Sequence, residues 1–139
     1  MSRAPEIGLR VLVVAGLAVD AVVHYRLAEQ MGIAAPGGIG GDTLFRVQAT
    51  AAVLAGVFLL VRGSRLAYAL AGLVALSALG AVLLYSVVNV PALGPVPSMY
   101  DPFWYPEKTL SAVAEGVAVL GSIVGLRVAR RRRHMPTGQ

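Results

Sequence analysis

The chain has 139 residues, 57% of them hydrophobic and only 14% charged, where a soluble domain carries roughly 25% charged residues. Together with a mean hydropathy of +0.72, this excludes an ordinary water-soluble domain and points to an all-α integral membrane protein. Cysteine is absent, which removes disulfides, thiolate nucleophiles and thiolate metal sites in one step.

The first predicted transmembrane span covers 7–27. Arg10 opens an apolar run that ends at Asp20 and His24, four residues apart and therefore on one helix face. The run has the outline of a secretory signal. However, Asp20 would stand inside the cleavage site, and removal would leave three spans, so the stretch is read as a retained helix. A loop over 29–43 follows, predicted to be flexible because Gly37, Gly38, Gly40 and Gly41 cluster after Pro36. No strand precedes these glycines, so they do not form a dinucleotide loop.

The second span, 44–61, begins with Arg46 and Gln48. A tight link, Arg62-Gly63-Ser64-Arg65, leads to the third, 66–90, which carries Tyr85 and Asn89 near its end. The loop from 91 to 108 holds five prolines and the aromatic set Tyr100, Phe103, Trp104 and Tyr105. Amphipathic rings favour the membrane interface, so the loop reads either as an interfacial anchor or as a lid over the polar groups below it. The fourth span, 110–128, contains Glu115, and a basic tail occupies 129–139. Each stretch is long enough to cross a hydrocarbon core of about 30 Å. Helix is the state in which a lone span satisfies its own backbone.

Four spans make antiparallel neighbours and divide the charges unequally. One side receives nine arginines and a single acid, Glu6; the other receives Arg26, Arg46 and Lys108 with six acids. By the positive-inside rule both termini are cytoplasmic. The predominance of Arg over Lys, with abundant Ala, Val and Gly, suggests a GC-rich bacterial genome, hence a multi-pass protein of a bacterial plasma membrane. The high isoelectric point, about 10.2, would also fit nucleic acid. Arg130, Arg131, Arg132 and Arg133 directly follow an apolar helix, though, and read as contacts to anionic lipid at the cytoplasmic face; no nucleic-acid partner is expected. Small residues at helical spacing, such as Gly121 and Gly125, suit close helix packing. They serve equally within the chain or toward a second copy or another membrane protein.

At about 1.5 Å of rise per residue, Asp20, His24, Arg46, Gln48, Tyr85, Asn89 and Glu115 fall at similar depth near the non-cytoplasmic ends of the spans. Lipid exposure costs about 2.5–3.5 kcal/mol per charge, so these groups are expected to face one another. One reading is a structural ion-pair network in which Arg46 pairs with Glu115 or Asp20. The other is an outward-facing site for a small polar ligand, a proton or a metal ion. A metal would draw on Asp20, His24 and Glu115, but Arg46 beside them would repel it, so no metal or cofactor is expected. Haem is disfavoured because the second histidine, His134, lies in the tail. No catalytic residue is evident: Ser86 and Ser111 lack a nucleophile elbow, and Ser111 has the preceding helical turn as an alternative partner.

The pattern His24-Tyr25-Arg26-Leu27-Ala28 closing the first span, then Leu44-Phe45-Arg46-Val47-Gln48-Ala49 opening the second, resembles small four-helix membrane proteins common in actinobacteria. In helix number and length the layout is also similar to DoxX-like proteins. The resemblance implies a four-helix integral membrane protein and brings no activity with it. The sequence therefore describes a non-enzymatic membrane protein, an accessory or envelope component, with small-ligand or ion binding as the alternative.

Overall fold

The structure, a computed structural model, describes residues 3–134; the end of the basic tail, 135–139, lies outside the described residues. It is all-helical: α1 (Arg3–Ala34), α2 (Gly41–Arg62), α3 (Arg65–Val87) and α4 (Pro106–His134). All four are long and apolar enough to cross a membrane. The shortest, α2 with 22 residues, extends about 33 Å at 1.5 Å per residue.

The helices pack as a ring in chain order. α1 lies against α2 and α4, and α3 against α2 and α4; α1 barely meets α3. Buried positions on α1 recur as Val13, Gly16, Leu17, Asp20, Ala21, His24 and Ala28, and on α4 as Ser111, Ala114, Glu115, Ala118, Ser122 and Gly125. That i, i+3, i+4 recurrence is the stripe an inward-facing helix presents. The opposite faces carry exposed Leu12, Val22, Leu54, Val57, Leu73, Leu76 and Leu120, an aliphatic exterior suited to acyl chains rather than to water.

Glycine sets the closest approaches. A Cβ at Gly16 would stand 2.7 Å from the Ala114 carbonyl oxygen and 3.1 Å from the Ala118 Cβ, and one at Gly121 would stand 2.6 Å from Val13 Cγ2. A Cβ at Gly125 would meet the Tyr68 ring. The Gly121/Gly125 pair thus serves contacts inside the chain, to α1 and α3.

The break between α2 and α3 is Gly63-Ser64. Gly63 has φ +57°, the left-handed cap that glycine adopts without strain, and its N–H reaches Leu59 O. Ser64 then caps α3, its hydroxyl accepting from Ala67 N at 3.2 Å. At the same end, Arg132 pairs with Glu6 and Arg10 donates to Leu60 O at 3.3 Å. The start of α1 and the ends of α2 and α4 therefore meet.

The other end departs from the sequence reading. α1 continues seven residues past 27, and the first loop shrinks to 35–40. Its turn is tied down: Ile39 N donates to Pro95 O at 2.9 Å, and Gly41 N to Ala35 O at 2.8 Å. Gly38, with φ +62°, lets the backbone reach Pro95 where a Cβ would collide with its carbonyl. α3 stops at Val87, three residues before the predicted boundary, as the chain turns into the proline-rich loop. The residue before Pro91 is thereby kept out of helix, as proline requires.

Candidate functional site

Five side chains from three helices meet inside the ring: Asp20 and His24 on α1, Gln48 on α2, Ser111 and Glu115 on α4. Asp20 and Glu115 are fully buried at 0% exposure, and His24 is 6% exposed. One donor atom from each of the three lies within 4.8 Å of the others. His24 Nδ1 is 2.7 Å from Asp20 Oδ1 and 3.0 Å from the Asp20 carbonyl oxygen, a consequence of their i, i+4 spacing on α1. The His24 ring leans on Phe45, with centroids 4.8 Å apart and planes tilted by 49°.

Each carboxylate is anchored by one oxygen. The Gln48 side-chain amide on α2 donates to Asp20 Oδ2 at 2.9 Å and also reaches Val74 O on α3 at 3.3 Å. The Ser111 hydroxyl on α4 donates to Glu115 Oε1 at 2.6 Å, and not to the preceding turn. Ser86, by contrast, does bond back to Val82 O, at 2.6 Å. The second oxygens, Asp20 Oδ1 and Glu115 Oε2, are buried without a hydrogen-bond donor of good geometry. With one oxygen of each carboxylate anchored and the other lacking a well-aligned donor, the site is acceptor-rich.

Three of the residues expected in the polar layer are elsewhere. Arg46 does not pair with Asp20 or Glu115. Its side chain is 54% exposed and bonds Asp42 at 3.1 Å, one turn earlier on α2. Arg46 precedes the inward-facing Gln48 by two residues, which points it away from the interior. Asn89 lies beyond the end of α3, exposed, with Ser98 Oγ 3.4 Å from its Oδ1. Tyr85 is half-buried and lines a neighbouring cavity without joining the carboxylates.

That cavity, about 90 Å³, is bounded by His24, Phe45, Val82, Tyr85 and Ser111 below and by Met99, Asp101, Tyr105 and Lys108 above. A larger cleft shares Leu27, Met31, Met99, Asp101 and Tyr105 with it, so these five side chains lie where the two adjoin. The second loop supplies most of this cover. Asp101 N donates to Tyr85 O at 2.9 Å. Lys108, only 7% exposed, donates to Asp101 O at 2.6 Å and Phe103 O at 3.0 Å, and its ammonium sits 4.7 Å from the Trp104 ring centre. Burial and the adjacent Asp101 carboxylate push the Tyr105 hydroxyl above the ordinary phenol range.

The loop thus divides its aromatic set. Phe103 and Trp104 are 75% and 50% exposed, and Tyr100 is exposed as well, as an interfacial anchor would be. Tyr105 covers the cavity as a lid would. The sequence reading missed Lys108, Asp101 and Phe45, which lie off any periodic polar stripe. The Ser111–Glu115 spacing was the available signal for the Ser111 contact.

No protein-family model, curated protein or solved structure matches the chain.

Proposed function

We propose that this chain is a non-enzymatic, multi-pass protein of a bacterial plasma membrane that binds a small cation within its helical ring. Its neighbouring helices run antiparallel and both termini are cytoplasmic. The cation would arrive from the side bearing the two loops. The observation carrying this reading is the convergence of two fully buried carboxylates, each with one oxygen that lacks a well-aligned hydrogen-bond donor, on His24, with Arg46 turned outward. A purely structural ion-pair network would need a fixed cation among them, since unpaired buried charge is costly. The arginine concentration at the opposite end supports the orientation through the positive-inside rule. Arg130, Arg131 and Arg133 are exposed there and suited to anionic headgroups, while Arg132 has Glu6 as its partner.

The test is the stability of Glu115→Gln in protein purified with chelator. Glutamine keeps an oxygen for the Ser111 hydroxyl, removes one of two converging negative charges and adds a donor toward Asp20 Oδ1. Thermal unfolding in detergent should show the variant more stable by about 1–3 kcal/mol, because binding sites hold uncompensated polarity at the expense of stability. A structural network would respond in the opposite direction, losing about 3–5 kcal/mol when one partner of a buried pair is removed. That result would overturn the binding-site reading.

A further inference from the structure

We propose that Asp20, His24 and Glu115 ligate a single divalent first-row transition-metal ion, of the Zn²⁺ or Mn²⁺ class, with Gln48 and Ser111 orienting the two carboxylates. This assignment rests on the reading of the cluster as a cation site and names its occupant.

Charge selects a divalent ion. As ligands, two carboxylates and one neutral imidazole carry a charge of −2, which one divalent ion cancels and a monovalent ion leaves half unbalanced. The charged neighbours do not supply the balance. On α2, Arg46 is turned outward onto Asp42. On α4, the Lys108 ammonium is held by the Asp101 and Phe103 carbonyls. α3 offers only the Val74 carbonyl, which the Gln48 amide occupies.

Donor chemistry selects the metal class. One imidazole nitrogen and two carboxylate oxygens, with no cysteine thiolate in the chain, form a nitrogen–oxygen set suited to Zn²⁺ or Mn²⁺ rather than to soft ions. Ligand bonds of about 2.0–2.2 Å put the ligand atoms of a tetrahedral ion roughly 3.4 Å apart, and the present span of 4.8 Å or less closes to that by side-chain movement. His24 Nδ1 and Asp20 Oδ1, at 2.7 Å, are already side by side, as two ligands of one ion would be.

The supporting shell fits as well. Ligating carboxylates are commonly held through their other oxygen by a hydrogen-bond donor. Gln48 and Ser111 do this for Asp20 Oδ2 and Glu115 Oε1, leaving Asp20 Oδ1 and Glu115 Oε2 without a well-aligned hydrogen-bond donor. Three protein ligands leave a coordination position open. The cavity bounded by His24 and Ser111 lies beside it and has room for water or a small exogenous ligand.

The test uses the full chain, purified in detergent, stripped with chelator and titrated calorimetrically with Zn²⁺ and with Mn²⁺. Wild type should bind one ion per chain. Glu115→Gln and His24→Gln should each weaken binding by about 100-fold or more, and Gln48→Ala by about 10-fold. Asp42→Asn, in the first turn of α2 and outside the ligand set, should bind as wild type does. Co²⁺ substitution gives a second readout: its visible absorption should change in His24→Gln even if some residual binding persists. Absence of binding by wild type, or equal binding by Glu115→Gln, overturns the metal assignment. Should Glu115→Gln nevertheless prove more stable than wild type, the wider cation-site reading survives without the metal; should it prove less stable, both fail.

Discussion

Asp20, Gln48 and Glu115 show how much one hydrogen bond decides inside a bilayer. Asp20 and Glu115 are fully buried, so each anchored oxygen depends on a named side chain. Gln48→Met keeps the volume but strips Asp20 Oδ2 of its donor and the Val74 carbonyl of its side-chain partner. Thermal unfolding in detergent should show a loss of about 1–3 kcal/mol, the usual cost of an unsatisfied buried acceptor. Adding Asp20→Asn should recover part of it, because the neutral amide needs less compensation than a carboxylate. Additive losses in the double variant would mean that the two side chains are not coupled. Arg46 teaches the converse: a charge near the right depth joins a cluster only if its helix face is right, and two residues of helical rotation separate it from Gln48.

Among the elements, α1 and α4 form the seam that carries Asp20, His24, Ser111 and Glu115, and small residues let it close. Gly16 is where α1 comes against α4, with a Cβ there only 2.7 Å from the Ala114 carbonyl oxygen, whereas a Cβ at Gly116 would meet nothing within 4 Å. Gly16→Ala should therefore destabilise by about 1–3 kcal/mol through overpacking and loosen the carboxylate site. Gly116→Ala on the partner helix should be neutral or slightly stabilising, as glycine replaced by alanine usually is in an open helix position. Paired melting curves would check this; equal effects would show that the seam is not sterically limited. The second loop acts at the same scale, since it fastens to α3 through Asp101 and to α4 through Lys108. That attachment turns a sequence of prolines and aromatics into cover for the cavity.

For the molecule as a whole, the orientation proposed from arginine placement has a direct measurement. The chain has no cysteine, so single substitutions report cleanly. Ser98→Cys, in the exposed second loop, should react with a membrane-impermeant maleimide in intact cells. Ser64→Cys, between α2 and α3, should react only after the membrane is opened. Labelling of Ser64→Cys from outside would reverse the topology, and the cation would then arrive from the cytoplasm. Composition and hydrophobic run length were enough to read four long apolar helices, because crossing a bilayer demands about 20 apolar residues and internal backbone bonding. The i, i+4 spacings of Asp20 with His24 and Ser111 with Glu115 were equally legible, since they are properties of one helix. Three things came only from tertiary structure: that Gln48 turns inward while Arg46 turns out, that α3 ends before Asn89, and that Lys108 is buried beneath the loop. Helix rotation and loop docking depend on how separate segments meet, and no periodicity within one segment records that.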